Sequence, residues 1–180
     1  MKIAIAGQMA SGKTTLAQAV AEARSGTVMS LGAKVKDVGR DLFGMQVKDR
    51  PLLQQIGMKM REIRPDVWIE YLDRAAAEAE QQFGLVVVDD CRFINEAEWF
   101  KRNGWTVVRL SIDEELQKSR LKQTYPDDWE NHWNNRSDAS ETEVPQIPDE
   151  LVDLEFQAED SDRIIDLMLE AIRGGIKNYS

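Results

Sequence analysis

The sequence contains little of what disulfide-rich or zinc-binding proteins are built from. Its 180 residues include one cysteine, Cys91, and one histidine, His132. A lone cysteine cannot form an internal disulfide, and one cysteine with one histidine does not make a zinc ligand set. These counts predict a protein of a reducing, cytoplasmic compartment.

Long hydrophobic runs and positive charge are also scarce. No apolar run approaches the roughly 18 residues of a membrane helix, and the apolar start at residues 3–6 is too short for a signal sequence. The 23 Lys and Arg against 32 Asp and Glu give a net charge of −9. Such a field repels nucleic acids and anionic membranes, so we expect neither as a partner. A polyanionic small ligand would need its own local basic pocket.

What is present indicates one globular domain over residues 1–180, with 42% hydrophobic and 31% charged residues. Short apolar runs alternate with helical patterns, which predicts an α/β fold with a parallel sheet and right-handed crossovers. The predicted strands are residues 2–6, 27–31, 85–89, 106–112 and 151–156. Residues 125–148 have little periodicity, which predicts either a functional lid or a loose loop.

A phosphate-binding motif lies between the first strand and the first helix. Residues 7–14, GQMASGKT, match GxxxxGK[ST]. In this motif the glycines let backbone N–H groups turn toward a phosphate, Lys13 reaches the outer phosphates and Thr14 offers a hydroxyl to Mg²⁺. The motif predicts a nucleoside triphosphate site that uses ATP and Mg²⁺. Its candidate nucleotide-binding residues are Gly7, Ala10, Ser11, Gly12, Lys13, Thr14 and Thr15.

Two acids and an arginine follow the apolar run of residues 85–88. Nucleotide-binding proteins with this loop place a carboxylate at the end of such a strand to hold Mg²⁺. The spacing leaves Asp89 and Asp90 as alternatives, and we take Asp89, with Thr14, as the metal-side candidate. Arg92 follows at the sheet edge where α/β proteins bind ligands, so it could bind a second phosphate while Asp90 orients it.

Two further arginines are candidates for contact with the transferring phosphate. Arg120 shares a helix face with Leu116, so it points where a core residue is expected and predicts an anion nearby. Arg136 lies in the irregular segment and could swing over the transferring group. We predict Lys13, Asp89, Arg120 and Arg136 as the catalytic set.

Several segments together resemble the bacteriophage type of deoxynucleoside monophosphate kinase, within the P-loop NMP-kinase group. They are GQMASGKTT, LGAKVKDVGRDLFG, LLQQIGMKMREIRPDVWI, VVVDDCRFINEAEWFKRNGWTVVRL and SDASE. The resemblance covers residue 1 to about 145. The phosphate-binding motif is specific only to the superfamily, whereas DDCRFINEAEW is more specific to this type of kinase. The sequence departs at Ala139, where a histidine often stands in the corresponding SDHxSE-like segment.

The resemblance implies a P-loop NTPase fold, with a five-stranded parallel sheet flanked by helices, an acceptor-binding helical region at residues 33–70 and a lid at 120–148. It implies ATP- and Mg²⁺-dependent phosphoryl transfer to a deoxynucleoside monophosphate, in the host cytoplasm if the protein is phage-encoded. The oligomeric state stays open, with a homodimer as one option. The acceptor-side residues that it implies are Lys36, Arg61, Trp68, Asp90, Arg92, Asn95 and Glu96.

Two alternatives remain at this point: a kinase of another small metabolite, with a hydroxyl or phosphorylated acceptor, and a nucleotide-binding regulatory protein. A phosphate acceptor, with a second pKa of about 6, is ionised at neutral pH and needs arginines rather than a base. A hydroxyl acceptor usually needs a carboxylate to take its proton. The several arginines favour phosphate, whereas the second aspartate of the Asp89–Asp90 pair keeps the hydroxyl alternative open.

Overall fold

A five-stranded parallel sheet organises the computed structural model, which describes residues 1–176. The strands within these residues are β1 (Lys2–Gly7), β2 (Thr27–Met29), β3 (Val86–Cys91), β4 (Thr106–Ser111) and β5 (Leu154–Gln157). Their order is β2-β3-β1-β4-β5, and every neighbouring pair is parallel. The predicted sheet is therefore confirmed, with β1 and β3 side by side.

Helices cover both faces of this sheet. Those of the described residues are α1 (Lys13–Ala23), α2 (Leu31–Phe43), α3 (Arg50–Ile63), α4 (Val67–Phe83), α5 (Ile94–Arg102), α6 (Glu114–Thr124), α7 (Trp129–Asn134), α8 (Ala139–Thr142) and α9 (Ser161–Arg173). Helices α1 and α9 pack on one face, and α4 and α5 pack on the other. No helix within residues 1–176 is both long enough and apolar enough to cross a membrane.

Strand β1 shows why the central strands are apolar throughout. Its Ile3 and Ile5 join the core beneath α1 and α9, whereas Ala4 and Ala6 join the core beneath α4 and α5. All four side chains are fully buried, because successive residues of a strand face opposite sides of a sheet. The small alanines let the α5 side approach closely, and the strand ends at the phosphate-binding loop.

Local signals in the sequence set the ends of two helices. The Asp49 carboxylate accepts the Leu52 N–H at 3.0 Å and caps α3. Helix α4 ends at Gly84, whose φ of 73° is the left-handed conformation that glycine adopts without strain.

Two predicted strands are shorter than their apolar patterns. Strand β2 ends at Met29, because Ser30 is already the N-cap of α2 and Leu31 is its first helical residue. Strand β5 begins at Leu154 rather than at residue 151, because Asp149–Leu151 form a turn of 3₁₀ helix. Leu31 and Leu151 fit the apolar pattern of a strand, but each belongs to a helical turn.

Residues 125–148 form a structured excursion and not a loose loop. The segment contains α7, α8 and two short 3₁₀ turns. It buries His132, Glu141, Val144 and Ile147. The His132 ring stacks on Tyr125 with ring centroids 3.9 Å apart. Ile147 belongs to the core beneath α4 and α5, so the segment packs against the sheet.

Candidate active site

The phosphate loop, residues 7–14, connects β1 to α1. Gly12 is the N-cap of α1 with a φ of 95°, which a side chain would strain. A Cβ on Gly7 would lie 2.9 Å from the Leu110 carbonyl oxygen and 2.6 Å from Ser11 Oγ, so only glycine fits there. The Ser11 hydroxyl is buried and has no hydrogen-bond partner among residues 1–176. The loop therefore has the shape and an unused polar group for an anionic ligand.

Lys13 is buried at the start of α1 and bends back over the loop. Its Nζ donates a hydrogen bond of 2.6 Å to the Gln8 carbonyl oxygen. Burial and, next in size, the positive charge of Arg92 lower the Lys13 pKa to about 7. A phosphate at this position would favour the charged amine, so ligand binding and protonation of Lys13 should be coupled.

Thr14 and Asp89 come together on the metal side. The Thr14 hydroxyl donates a hydrogen bond of 2.7 Å to Asp89 Oδ2. Partial burial raises the pKa of Asp89, and the Thr14 hydrogen bond opposes that rise. A hydroxyl and a carboxylate oxygen suit Mg²⁺, which takes one or two protein ligands together with substrate phosphates and water. The pair that the sequence suggested for the metal is thus adjacent and chemically suited to it.

Asp90 has a different partner from the one expected. Its Oδ2 accepts hydrogen bonds from Ser30 Oγ at 2.7 Å and from the Gly32 N–H at 2.8 Å, and its Oδ1 accepts the Leu31 N–H at 2.8 Å. Free N–H groups and the helix dipole attract a carboxylate to the N-terminus of α2. The expectation that Asp90 orients Arg92 is therefore wrong, and Asp90 instead anchors α2 to the end of β3.

Arg92 turns toward residues 125–148. Its Nη1 donates a hydrogen bond to Glu141 Oε1, and the other carboxylate oxygen accepts the Met9 N–H at 2.6 Å. Glu141 is only 2% exposed and lies 49 residues from Arg92 in the sequence. Its carboxylate joins the phosphate loop to Arg92. Sequence reasoning missed this role, because SDASE carries no local signal that sets its glutamate apart.

Glu96 and Arg61 form the next layer of the acceptor side. The buried Glu96 carboxylate accepts the N–H groups of Arg92 and Phe93, and it accepts a 3.2 Å hydrogen bond from Arg61 Nη2. Burial raises the pKa of Glu96 to about 7. The Arg61 guanidinium also lies 5.0 Å from the centre of the Phe93 ring. Arg61, Arg92 and Glu96, which the resemblance placed on one side, are therefore grouped in space.

The other acceptor-side candidates lie outside this group. Trp68 is buried, and its indole N–H donates to the Gly57 carbonyl oxygen at 3.2 Å, so it packs α4 against α3. Asn95 is exposed and donates to Asp66 Oδ1 at 3.1 Å. Lys36 is exposed on α2. Trp68 and Asn95 therefore join neighbouring helices around the acceptor side.

Helix α6 lies directly on the phosphate loop. Arg120 Nη1 donates to the carbonyl oxygens of Ala10 and Ser11 at 3.2 and 3.3 Å. Gln117 Nε2 donates to the Met9 carbonyl oxygen at 3.1 Å. Arg120 therefore points inward, as its helix position indicated. Gln117 is a further contact to the loop. The sequence did not predict it, because a single glutamine on a polar helix forms no recognisable pattern.

Arg136 lines a cavity beside the phosphate loop. Its Nη1 donates to Glu114 Oε1 at 2.6 Å, and its guanidinium lies 3.9 Å from the centre of the Trp133 ring. The cavity measures about 510 Å³ and is also lined by Gln8 and Glu141. That volume is in the range of small-ligand sites. Contact between Arg136 and a transferring phosphate would require the arginine to leave Glu114.

A family model described as AAA domain matches residues 3–143, which include the phosphate loop, the Asp89–Asp90 pair and Glu141. The chain belongs to the AAA domain family. A search of curated proteins finds no match to this AAA domain chain.

Solved structures with the same fold cover nearly the whole AAA domain chain. A shikimate kinase from Bacteroides thetaiotaomicron is 18% identical with a TM-score of 0.55, covering 96% of this chain and 98% of its own. A gluconokinase from Sinorhizobium meliloti 1021 is 14% identical with a TM-score of 0.57, covering 98% and 94%. The protein TT1252 from Thermus thermophilus is 16% identical with a TM-score of 0.64, covering 98% of both chains. At these identities the likeness shows the P-loop kinase fold.

Proposed function

We propose that the chain transfers the γ-phosphoryl group of Mg-ATP to the phosphate of a nucleoside monophosphate, giving a diphosphate. One observation carries the choice of acceptor: neither carboxylate at the end of β3 is free to act as a base. Asp89 accepts the Thr14 hydroxyl on the metal side. Both oxygens of Asp90 are used at the N-terminus of α2. A hydroxyl acceptor would require Asp90 as a base, but both oxygens of Asp90 already bind the N-terminus of α2.

The acceptor side offers guanidinium groups instead. Arg92 and Arg61 flank Glu96, which holds the Arg61 side chain and the Arg92 backbone. A nucleoside monophosphate arrives with its phosphate already ionised, so it needs positive partners and no proton acceptor. Guanidinium forks match phosphate oxygens and bind them bidentately. Arg92 would hold the acceptor phosphate, with Arg61 next to it.

The donor side supplies charge to the phosphoryl group in transit. Lys13 and the loop N–H groups would hold the outer phosphates, and Arg120 lies against the loop carbonyls from α6. Mg²⁺, when bound at Thr14 and Asp89, would neutralise charge on the phosphate oxygens. Arg136 would add a positive charge once it leaves Glu114. With these groups in place, the ionised oxygen of the acceptor phosphate would attack the γ-phosphorus, and ADP would leave.

The preference for a deoxynucleotide and a bacteriophage origin rest on the sequence resemblance alone. A second candidate is transfer to an alcohol, since the similar structures include a shikimate kinase and a gluconokinase.

A coupled ADP-release assay tests the proposal. With Mg-ATP as donor, we expect turnover with one or more ribo- or deoxynucleoside monophosphates and none with shikimate or gluconate. Arg92→Ala should raise the acceptor KM by about tenfold or more, the loss of one charge-assisted contact, and by more than it raises the ATP KM. Arg40→Ala removes an exposed arginine that pairs with Asp37 on α2 and is the matched control. Turnover of an alcohol with every nucleotide inactive would overturn the proposal.

A further inference from the structure

Glu141 is a buried carboxylate placed among the groups that should hold phosphate. It takes the Met9 N–H from the phosphate loop and a hydrogen bond from the Arg92 guanidinium. Its negative charge opposes the lowering of the Lys13 pKa, which places it within electrostatic reach of that amine. The Glu141 carboxylate thus lies among the Met9 N–H, the Arg92 guanidinium and the Lys13 amine. A phosphoryl group requires the same kind of surroundings.

The position of this carboxylate is specific. Met9 lies at the end of the phosphate loop away from α1, and Arg92 belongs to the acceptor side, where its backbone N–H is held by Glu96. The Glu141 carboxylate therefore connects the donor loop with the first acceptor arginine. On the proposed function, the phosphoryl group that passes from ATP to the acceptor would cross the same space.

We propose that the Met9 N–H and the Arg92 guanidinium form one phosphoryl-binding site between donor and acceptor, and that Glu141 occupies it until a substrate displaces it. The inference rests on the proposed function for the identity of the two substrates. A carboxylate and a phosphoryl group cannot share these donors, so Glu141 and substrate compete. The apparent affinity for substrate is then reduced by the fraction of molecules in which Glu141 is docked.

Displacement of Glu141 would also move the segment that carries it. Asp138 is the N-cap of α8 and its carboxylate accepts the Ser140 N–H, and Gln8 Nε2 donates to the Glu141 carbonyl oxygen at 3.3 Å. Arg136 lies five residues before Glu141 on the same segment. Substrate entry would thus release a carboxylate that holds the segment on the loop, and the approach of Arg136 would also require its ion pair with Glu114 to break.

The test compares ligand binding to Glu141→Gln and to wild type by titration calorimetry, so it does not depend on turnover. Glutamine has nearly the same shape but lacks the charge that pairs with Arg92. We expect the Kd for the β,γ-imido analogue of Mg-ATP, and that for inorganic phosphate, to fall by about tenfold or more, the equivalent of one charge-assisted hydrogen bond. Mg-ADP, which has no third phosphate to reach Met9 and Arg92, should gain much less.

Glu143→Gln is the matched control. It removes the same charge two residues away, where Glu143 accepts the Ile94 N–H and does not contact the loop. We expect this variant to bind all three ligands as wild type does. If Glu141→Gln does not fold, Glu141→Asp serves instead, because it keeps the charge but is too short to span Met9 and Arg92, and it should tighten binding in the same order of ligands.

Unchanged or weaker binding of the imido analogue and phosphate to folded Glu141→Gln would overturn the inference and would make Glu141 a positioning residue for Arg92. Equal tightening by Glu143→Gln would also overturn it, because the effect would then be one of net charge. If no nucleoside monophosphate is phosphorylated but Glu141→Gln still binds the imido analogue more tightly, the proposed function is wrong. The inference that Glu141 occupies a phosphoryl-binding site would still hold.

Discussion

Replacement of Asp89 and Asp90 by asparagine should separate their two roles. In wild type, Asp90 accepts three hydrogen bonds at the start of α2, whereas Asp89 accepts one from Thr14. Asparagine has one acceptor oxygen in place of two. If that oxygen keeps the bonds from Ser30 and Gly32, the amide NH₂ must face the Leu31 N–H, and one donor opposes another.

The magnitude for Asp90→Asn follows from these contacts. The lost hydrogen bond from Leu31 involves a charged acceptor and is worth about 1.5–3 kcal/mol. Loss of a negative charge at a helix N-terminus adds about 0.3–1 kcal/mol. We therefore expect the free energy of unfolding to fall by about 2–4 kcal/mol. Asp89→Asn can still accept the Thr14 hydroxyl and no longer buries a charge, so its free energy of unfolding should change by less than about 1 kcal/mol.

Urea unfolding and Mg²⁺ titration of ADP release measure the two effects. Asp89→Asn should need much more Mg²⁺ for half-maximal rate at nearly normal stability. Asp90→Asn should be less stable, with a nearly normal Mg²⁺ requirement. Equal Mg²⁺ titrations of the two variants, or an Asp90→Asn protein as stable as wild type, would refute the assignment of one aspartate to the metal and the other to α2.

Three further outcomes follow from the site. Lys13→Ala should abolish most turnover in a folded protein, because Lys13 carries the charge at the outer phosphates; normal turnover would remove the phosphate loop from the mechanism. Arg136→Ala should lower kcat more than it raises either KM, because its contact would form mainly in the transition state, and an unchanged kcat would leave it as a partner of Glu114 and Trp133. The pKa of Glu96 is raised from 4.5 to about 7, so the folded state binds more protons than the unfolded state and the free energy of unfolding should decrease from about pH 4.5 to 7. Glu96→Gln should flatten that part of the pH profile measured by urea unfolding, and an unaltered profile would show that another group titrates.

The sequence was sufficient for features that depend on neighbours in the chain. The apolar run LVVVD and its buried partner β1 required no tertiary information, because a strand covered on both faces must be apolar at every position. The cap of α3 by Asp49 is equally local, since its partner is three residues away. The GxxxxGK[ST] motif is local too, because its backbone turn, its lysine and its helix start lie within eight residues.

Only the tertiary structure decided which groups those local features meet. Asp89 and Asp90 are adjacent in the sequence, yet consecutive residues of β3 point in opposite directions, so one meets Thr14 and the other meets α2. Glu141 joins Met9 across 132 residues, and Arg120 reaches Ala10 across 110. Such pairs depend on where helices dock along the sheet edge. The fit of whole apolar faces sets where a helix docks. The residues next to Glu141 or Arg120 in the sequence therefore do not indicate which distant polar group each one meets.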